Sequence, residues 1–242
     1  MKWKTKISVH KDGELRIRGH KLTELIAKYG FIDGIFLIIE GRLPAKNEAE
    51  LLSACLLSCI DHGVEAPSAF IGRVVASTGN SVNAAIAANI LAIGDHHGGA
   101  IEQAMILLSR PEDAKTIVRE VLSRKERLPG YGHKIYKDFD PRAKALFKRA
   151  AELEIKNSAM EKTILVEKEL KEQSGKTLPL NIDGAIAAIL LALGFNPKLG
   201  KAFFALGRMP GMMAHILEEI TDEKPYRRFE ESDVEYEGPE LK

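Results

Sequence analysis

The chain has 242 residues, and its 35 Lys and Arg nearly balance its 34 Asp and Glu. A protein whose main partner is a polyanion normally carries a basic excess, so this balance argues against a nucleic-acid-binding function. A hydrophobic content of 45% is enough for a core in one large domain or two modest ones. The N-terminus has no apolar signal segment and no apolar run is long enough to span a bilayer, so we expect a cytoplasmic protein.

In residues 3–18, polar and apolar side chains largely alternate on both sides of an Asp-Gly pair at 12–13. This pattern predicts a β-hairpin. After it, the apolar spacing is mostly three and four, which predicts helices and an all-α fold class. Pro111 and Pro141 fall at expected first helical positions, where proline is tolerated. The predicted helices are 21–29, 32–40, 46–61, 68–77, 81–93, 99–108, 112–124, 141–153, 157–173, 183–193, 197–206 and 210–220.

Two predicted helical stretches, 81–93 and 184–193, are apolar almost all round, and such helices are typical of an interior. Cys55 and Cys59 lie four apart in another apolar helical pattern. We interpret them as small buried thiols of a reducing compartment, with a disulfide or metal pair as the alternative. The acidic tail, 230–242, is expected on a surface.

The first candidate for chemistry is GDHHGGA, residues 94–100, which precedes a predicted helix. The positive end of a helix dipole disfavours imidazolium, so a histidine there tends to stay neutral and can donate a hydrogen bond to a carbonyl oxygen. One alternative is a turn with a histidine cap. Another is a metal site built from Asp95, His96, His97 and Glu102, although their spacing is not a strong signature.

The second candidate is LPGYGHKIYKDFDPR, residues 128–142. Gly130 and Gly132 flank Tyr131 and precede His133. Such a segment can present backbone amides and carbonyls to a flat or charged ligand and hold an imidazole beside it. It matches neither a Walker loop nor a dinucleotide fingerprint, and a plain surface loop is the alternative.

The remaining candidates are a carboxylate and three arginines. Asp183 stands where an apolar helix is predicted to begin, as an N-cap or a buried base, and residue type alone favours the cap. Arg208 lies between two predicted apolar helices, and the pair at 227–228 follows. Arginines in apolar surroundings need anions, and a substrate carboxylate is one. The alternative is an internal salt bridge with Glu218, Glu219 or the acidic tail.

Together these segments resemble the citrate synthase superfamily. LPGYGHKIYKDFDPR is similar to that family's motif of Pro-Gly-Tyr/Phe-Gly-His followed by Asp-Pro-Arg. HHGGA (96–100) resembles its first histidine motif, and PLNIDGAIA (179–187) resembles its Asn-Val-Asp motif. Less specific matches are SAFIGRVVASTGNSVNAAIAA (68–88) and FLIIEGRLP (36–44).

The resemblance covers roughly 20–239 and implies a citrate-synthase-like two-domain helical fold with a short N-terminal β-hairpin. The implied large domain comprises 1–102 and 199–242, and the implied small domain comprises 103–198. The family pairs subunits through a helical layer, so the resemblance implies a homodimer at least.

The family's catalytic roles carry over to three positions. Asp183 would exchange the proton on the methyl carbon of acetyl-CoA. His97 would donate a hydrogen bond to the thioester oxygen. His133 would polarise the keto or hydroxyl oxygen of a C4 dicarboxylate. The implied chemistry uses a CoA thioester as substrate, with no metal and no other cofactor.

The family's binding roles carry over less evenly. His62 resembles an additional substrate histidine, although the local spacing differs by one residue. Of the two arginines at 227 and 228, the spacing favours Arg228 as the one that binds a substrate carboxylate. The implied carboxylate-binding residues are His62, Arg142, Arg208 and one of Arg227 and Arg228. The implied CoA-binding residues are Leu128, Pro129, Gly130, Tyr131, Gly132, Lys137, Lys176 and Asn181.

The direction of the reaction depends on other features. The chain lacks the long N-terminal helical portion of ordinary citrate synthases, and DHG (61–63) with GDHHGGAIEQA (94–104) resembles the citrate-synthase-like module of ATP citrate lyase. The implied activity is a citryl-CoA lyase that yields acetyl-CoA and oxaloacetate, with a separate synthetase supplying citryl-CoA. The alternative is a short citrate or methylcitrate synthase. A helical scaffold without activity would be expected to lose His97, His133 or Asp183, and all three are present.

Overall fold

The computed structural model describes residues 2–239, so the predicted domain and tail limits at 1 and 242 lie outside the described residues. The first strands are β1 (Ser8–Lys11) and β2 (Glu14–Ile17), which pair antiparallel across the Asp12-Gly13 turn. The predicted hairpin is therefore confirmed. A third strand, β3 (His20–Lys21), extends it to a three-stranded sheet in the order β1-β2-β3.

The rest of the described chain is mainly helical, as the apolar spacing predicts. Pro141 begins a helix behind the N-cap Asp140, as predicted, whereas the helix expected to begin at Pro111 begins only after the N-cap Asp113. The helices are α1 (Leu22–Lys28), α2 (Phe31–Glu40), α3 (Lys46–Ser58), α4 (Pro67–Ser77), α5 (Val82–Leu91), α6 (Ala100–Leu108), α7 (Ala114–Ser123), α8 (Pro141–Glu152), α9 (Ser158–Ser174), α10 (Ile182–Ala192) and α11 (Gly200–Asp222), with 3-10 turns at Pro197–Leu199 and Glu231–Asp233.

The predicted pair of helices at 197–206 and 210–220 is wrong. A single helix, α11, runs through both segments with Pro210 inside it. Proline inside a helix removes one ladder hydrogen bond at a cost of about 3 kcal/mol, which packing can offset. Arg208 therefore lies within a continuous helix and not between two helices.

The described chain divides into two compact units. The first unit contains residues 2–59 and Gly98–Gly207, and the second contains Ile60–His97 and 208–239. The predicted domain limits at 102 and 198 stay a prediction. In the first unit α10 is central, and it packs against α3, α6, α8 and α9. Every residue from Gly184 to Leu190 is buried, so the predicted interior position of this helix is confirmed.

In the second unit α4 packs along α5, and Gly72 lies against the buried side chain of Asn89. The prediction that α5 is interior is wrong for a single chain, because Leu91 is 84% exposed and Val82 is 43% exposed. This helix therefore presents apolar side chains to solvent in the single chain.

Cys55 and Cys59 are both buried, as predicted. Burial raises the pKa of Cys55, so this thiol stays protonated. Among residues 2–239, no helix is both long and apolar enough to cross a membrane.

Candidate active site

In the first unit, a short backbone pairing joins the loop that carries His133 to the start of α10. Gly132 N–H donates to Pro179 O at 2.7 Å, and Asn181 N–H donates to Gly130 O at 3.0 Å. The side chain of Asn181 adds a hydrogen bond from Nδ2 to Gly132 O at 2.9 Å. Two segments about fifty positions apart in sequence are thus held together just before His133.

Gly130 and Gly184 lie in direct backbone contact at this junction. A Cβ on Gly130 would lie 2.7 Å from Gly184 Cα, and a Cβ on Gly184 would lie 2.4 Å from Gly130 O. Gly130 also has a φ of +87°, which favours glycine. Both residues are therefore required by packing against each other, a reason that the sequence alone did not indicate for Gly130.

We expect Gly184→Ala to lower the free energy of unfolding by roughly 1–3 kcal/mol, because the added methyl group has no space. Chemical denaturation monitored by circular dichroism measures this change. Gly34→Ala is the matched control, since a Cβ at this helical glycine of α2 meets nothing within 4 Å. An equal loss in both variants would contradict the packing argument.

His133 is held in one tautomer by its own loop. Its Nδ1 accepts the backbone N–H groups of Ile135 and Tyr136 at 3.1 and 3.2 Å. In the neutral ring the proton is therefore on Nε2, which makes Nε2 a donor. Arg142 Nη2 lies 3.3 Å from this Nε2, so two donor groups converge on one position.

Asp140 is the residue that aims Arg142, and the sequence reasoning did not single it out. Its side chain is fully buried, and it accepts hydrogen bonds from Arg142 Nε at 3.0 Å and Arg142 Nη2 at 2.8 Å. It also accepts the backbone N–H of Ile182, the first residue of α10, at 3.1 Å. Burial raises the pKa of Asp140, but the hydrogen bonds from Arg142 outweigh burial and hold that pKa below its ordinary value.

Asp183 is not the N-cap of α10, contrary to what its residue type favoured. Asn181 is the cap, and its Oδ1 accepts the N–H groups of Asp183 and Gly184 at 3.0 and 3.2 Å. The half-buried carboxylate of Asp183 is thus not used for capping. The hydrogen bonds that Arg142 donates to Asp140 are the main cause of the raised pKa of Arg142, and the negative charge of Asp183 raises that pKa further.

A cavity of about 770 Å³ lies beside the same loop in the first unit. Four of the predicted CoA-binding residues line it: Leu128, Tyr131, Gly132 and Lys176. Three further basic residues line it, Lys125, Arg127 and Lys134, which the sequence reasoning had not named. Pro129, Gly130, Lys137 and Asn181 are not part of this lining, and the ammonium group of Lys137 lies 3.4 Å from His133 O.

In the second unit, His97 closes a tight turn with Gly94 through two backbone hydrogen bonds of 2.9 and 3.1 Å. Its Nε2 accepts the backbone N–H of Ser68 at 3.3 Å and lies 2.8 Å from Ser68 Oγ. Because Nε2 accepts an N–H, Nδ1 carries the ring proton of the neutral form. Burial lowers the pKa of His97, and positive charge on Arg208 and His62 lowers it further, so the neutral form is favoured.

Ser68 orients His97 although it is 29 residues away in sequence, and it is fully buried at the start of α4. The sequence reasoning placed this serine in a family motif without a role. His62 is exposed in the segment before α4, and Arg208 is 4% exposed within α11. After burial, these two residues are the further causes of the lowered pKa of His97.

Arg227 takes part in an internal salt bridge, the alternative left open by the sequence. Its Nη2 lies 2.8 Å from Glu219, whose buried carboxylate also accepts Arg73 Nε at 2.6 Å. Its backbone N–H donates to Ser77 Oγ at 3.1 Å. Arg227 and Arg228 are both exposed residues. Among residues 2–239, no three His, Cys, Asp or Glu side chains are grouped to hold a metal ion.

A family model described as "Citrate synthase, C-terminal domain" matches residues 44–228. The chain belongs to the citrate synthase family. All the predicted site residues lie within this matched segment, from His62 to Arg228.

Solved and curated members of the citrate synthase family extend this result. The structure of citryl-CoA lyase from Hydrogenobacter thermophilus is 46% identical, with a TM-score of 0.95, and the match covers 99% of this chain and 96% of that one. Citrate synthase 2 of Bacillus subtilis is 33% identical over 219 residues, which are 88% of this chain and 57% of the relative. The chain spans about half the length of the curated relatives it matches.

An ATP citrate lyase from Methanothrix soehngenii is 24% identical with a TM-score of 0.88, and 42% of that chain is matched. At this identity the likeness concerns the fold alone. The predicted citrate-synthase-like helical fold is confirmed.

Proposed function

We propose that this chain is a citryl-CoA lyase, which cleaves citryl-CoA to acetyl-CoA and oxaloacetate. The observation that carries the proposal is the likeness to the Hydrogenobacter thermophilus citryl-CoA lyase over nearly the full length of both chains. The second candidate, a short citrate or methylcitrate synthase, is supported by the identity with curated citrate synthases, of which this chain spans about half.

In the proposed cleavage, water takes the proton of the citryl-CoA hydroxyl group, and that oxygen becomes the keto oxygen of oxaloacetate. The carbon–carbon bond to the acetyl methylene breaks, and its electron pair forms the enolate of acetyl-CoA. Asp183, in its acid form, returns a proton to the enolate carbon. His133 donates from Nε2 to the reacting oxygen beside Arg142, since its Nδ1 already accepts two N–H groups and it cannot take the proton there.

His97 is proposed to donate a hydrogen bond from Nδ1 to the thioester oxygen. Its neutral state and the acceptor role of its Nε2 support this assignment. The cavity beside His133 is proposed to take part of the CoA, with Lys176 and the exposed Lys137 as phosphate partners. The proposed carboxylate ligands are His62, Arg142, Arg208 and Arg228. No cofactor besides the thioester substrate is proposed.

We assign the last carboxylate contact to Arg228, because Arg227 is held by Glu219. Arg228→Ala is expected to raise KM for citryl-CoA roughly 10-fold or more while leaving the Tm unchanged, as removal of a carboxylate contact predicts. Arg227→Ala is the matched comparison, and it should lower the Tm because Glu219 loses one of its two arginine partners. Steady-state kinetics and thermal denaturation measure both changes. The opposite pattern would reverse the assignment.

We propose a homodimer that covers the exposed apolar residues of the second unit. Leu91 of α5 and Leu217 of α11 are 84% and 61% exposed, which is unusual for apolar helices in a single chain. The other large apolar side chains exposed on its helices are Phe70, Val74, Val82, Ile90, Met213 and Ile220.

Leu217→Lys is expected to weaken the dimer at least about 10-fold, because a buried leucine contributes roughly 1.5–3 kcal/mol. Sedimentation velocity over a concentration series measures the shift toward monomer. Leu165→Lys is the matched control, since Leu165 is 53% exposed on α9 of the first unit. If both variants stay dimeric, this surface is not the interface.

We propose that a separate synthetase, which ligates citrate to CoA, supplies the citryl-CoA. A cytoplasmic location is part of the proposal, in keeping with a chain whose two cysteines are both buried.

A pair of assays tests the proposed activity. In the first, citryl-CoA is supplied and oxaloacetate is followed through coupled NADH oxidation. In the second, acetyl-CoA and oxaloacetate are supplied and free thiol is followed. Rapid oxaloacetate formation in the first assay, with slow thiol release in the second, is the expected result. Fast thiol release from acetyl-CoA and oxaloacetate would favour the synthase instead.

A further inference from the structure

The segment that carries His62 contains no helix or strand, yet a single carboxylate fixes it. Asp61 Oδ2 accepts the backbone N–H of Gly63 at 3.1 Å. The other oxygen, Oδ1, accepts a hydrogen bond from His215 Nε2 at 3.0 Å. Asp61 therefore connects the backbone directly after His62 to α11.

A second contact from α11 reaches the same segment one turn earlier in the helix. Gly211 N–H donates to Ile60 O at 3.2 Å. A Cβ on Gly211 would lie 2.5 Å from Ile60 O and 2.8 Å from Asp61 Oδ1, so only glycine permits this approach. Gly211 and His215 are four residues apart and share one face of the helix, so they hold two consecutive residues of the segment.

The hydrogen bond between His215 and Asp61 belongs to a larger set of charges in the second unit. His215 Nδ1 lies 3.9 Å from Glu218, and Glu218 pairs with the buried Arg73 at 2.7 Å. The side chain of His215 is 17% exposed, while the His62 side chain is on the surface. The largely buried His215 is therefore linked, through the 42% exposed side chain of Asp61, to the segment that carries the exposed imidazole of His62.

We propose that Asp61 and His215 are positioning residues that aim His62 at a carboxylate of the substrate. The inference rests on the proposed function, because that function makes His62 a ligand of the C4 dicarboxylate. Neither Asp61 nor His215 is assigned a contact with substrate, so each acts only through His62.

A double-mutant cycle tests the coupling. Oxaloacetate binding is measured by calorimetry for the wild type, His62→Ala, His215→Ala and the double variant. We expect each single variant to weaken oxaloacetate binding about 10-fold, or 1.4 kcal/mol. The double variant should be no more than about 2-fold weaker than His62→Ala, because His215 acts through His62. Losses that multiply to about 100-fold would overturn the proposal.

A second variant separates positioning from folding. His215→Gln keeps a side-chain N–H that can donate to Asp61, so it should recover most of the oxaloacetate affinity lost in His215→Ala. A His215→Ala variant with a lower Tm but unchanged oxaloacetate affinity would show that the pair is only structural. CoA affinity should stay constant in every variant.

The outcomes also distinguish this proposal from the proposed activity. A wild type that binds oxaloacetate but does not cleave citryl-CoA contradicts the lyase activity, and the cycle still decides the positioning role. A wild type that cleaves citryl-CoA while the losses multiply contradicts the positioning role alone. A wild type that does not bind oxaloacetate overturns both.

Discussion

Asp183→Ala is expected to lower kcat for citryl-CoA cleavage about 1,000-fold while the CoA thioester still binds. The proposed reaction leaves an enolate that needs a proton, and a positioned acid contributes roughly 100- to 10,000-fold. The helix should persist in the variant because Asn181, and not Asp183, caps α10. Single-turnover kinetics with citryl-CoA measure the loss, and calorimetry with CoA measures the binding that remains.

Two control variants make this result specific. Asp183→Asn keeps the shape of the side chain and should be nearly as inactive, because an amide is not a proton donor of the required strength. Asp113→Asn changes a carboxylate at the start of another helix, where Asp113 is the N-cap of α7 and asparagine caps equally well. It should retain wild-type turnover. Turnover within 10-fold of wild type in Asp183→Ala would remove Asp183 from the mechanism.

Asp140→Ala is expected to reduce both stability and activity. The change leaves the N–H of Ile182 without its acceptor and Arg142 without its bidentate partner. Breaking such a buried pair costs roughly 3 kcal/mol of unfolding free energy. Arg142 would also lose its orientation beside His133, and a misplaced binding group lowers kcat/KM by about 100-fold. Urea denaturation and steady-state kinetics measure the two effects.

Asp138→Ala is the matched control for this prediction, because Asp138 is an exposed carboxylate in the same loop. It should keep both stability and activity. If Asp140→Ala keeps wild-type kcat/KM while only its stability falls, Asp140 does not orient Arg142 for catalysis.

The depressed pKa of Asp140 adds a pH dependence. A carboxyl whose pKa is lower in the folded state than in the unfolded state stabilises the fold above its unfolded pKa, about 3.9. That contribution is lost as the pH falls through the folded value. Between pH 5 and 3, wild-type stability should therefore fall more steeply than that of Asp140→Asn, as urea titrations at each pH would measure.

The sequence predicted the helices well, because their apolar spacing of three and four is a local property. It also placed Pro141 at a helix start, where the N-cap Asp140 directly precedes it. It failed at Pro111 and at the supposed break near Arg208, since packing can move a helix start or carry a helix past a proline. Both failures concern helix boundaries, because residues near in sequence do not by themselves determine where a helix begins or ends.

The residues of the candidate site also fall into two groups, those that the sequence motifs indicated and those that only the structure revealed. Motif resemblance located His97, His133, Asp183 and Arg142 without any structure. It did not find the residues that hold them: Ser68 for His97, Asp140 for Arg142, and Asn181 as the cap beside Asp183. Ser68 is 29 residues from its partner, and Asp140 is 42 residues from Ile182, which it also binds.

The sequence by itself thus determined the helical class and the family resemblance, and it supplied the candidate reactive side chains, because each of these follows from short local patterns. Only the tertiary structure decided the tautomers of His97 and His133, the close contact of Gly130 with Gly184, and the capture of Arg227 by Glu219. The tertiary structure alone also showed that apolar side chains of α5 are exposed in the single chain. These features depend on contacts between residues distant in the chain, and hydrogen-bond direction and burial exist only once those residues meet.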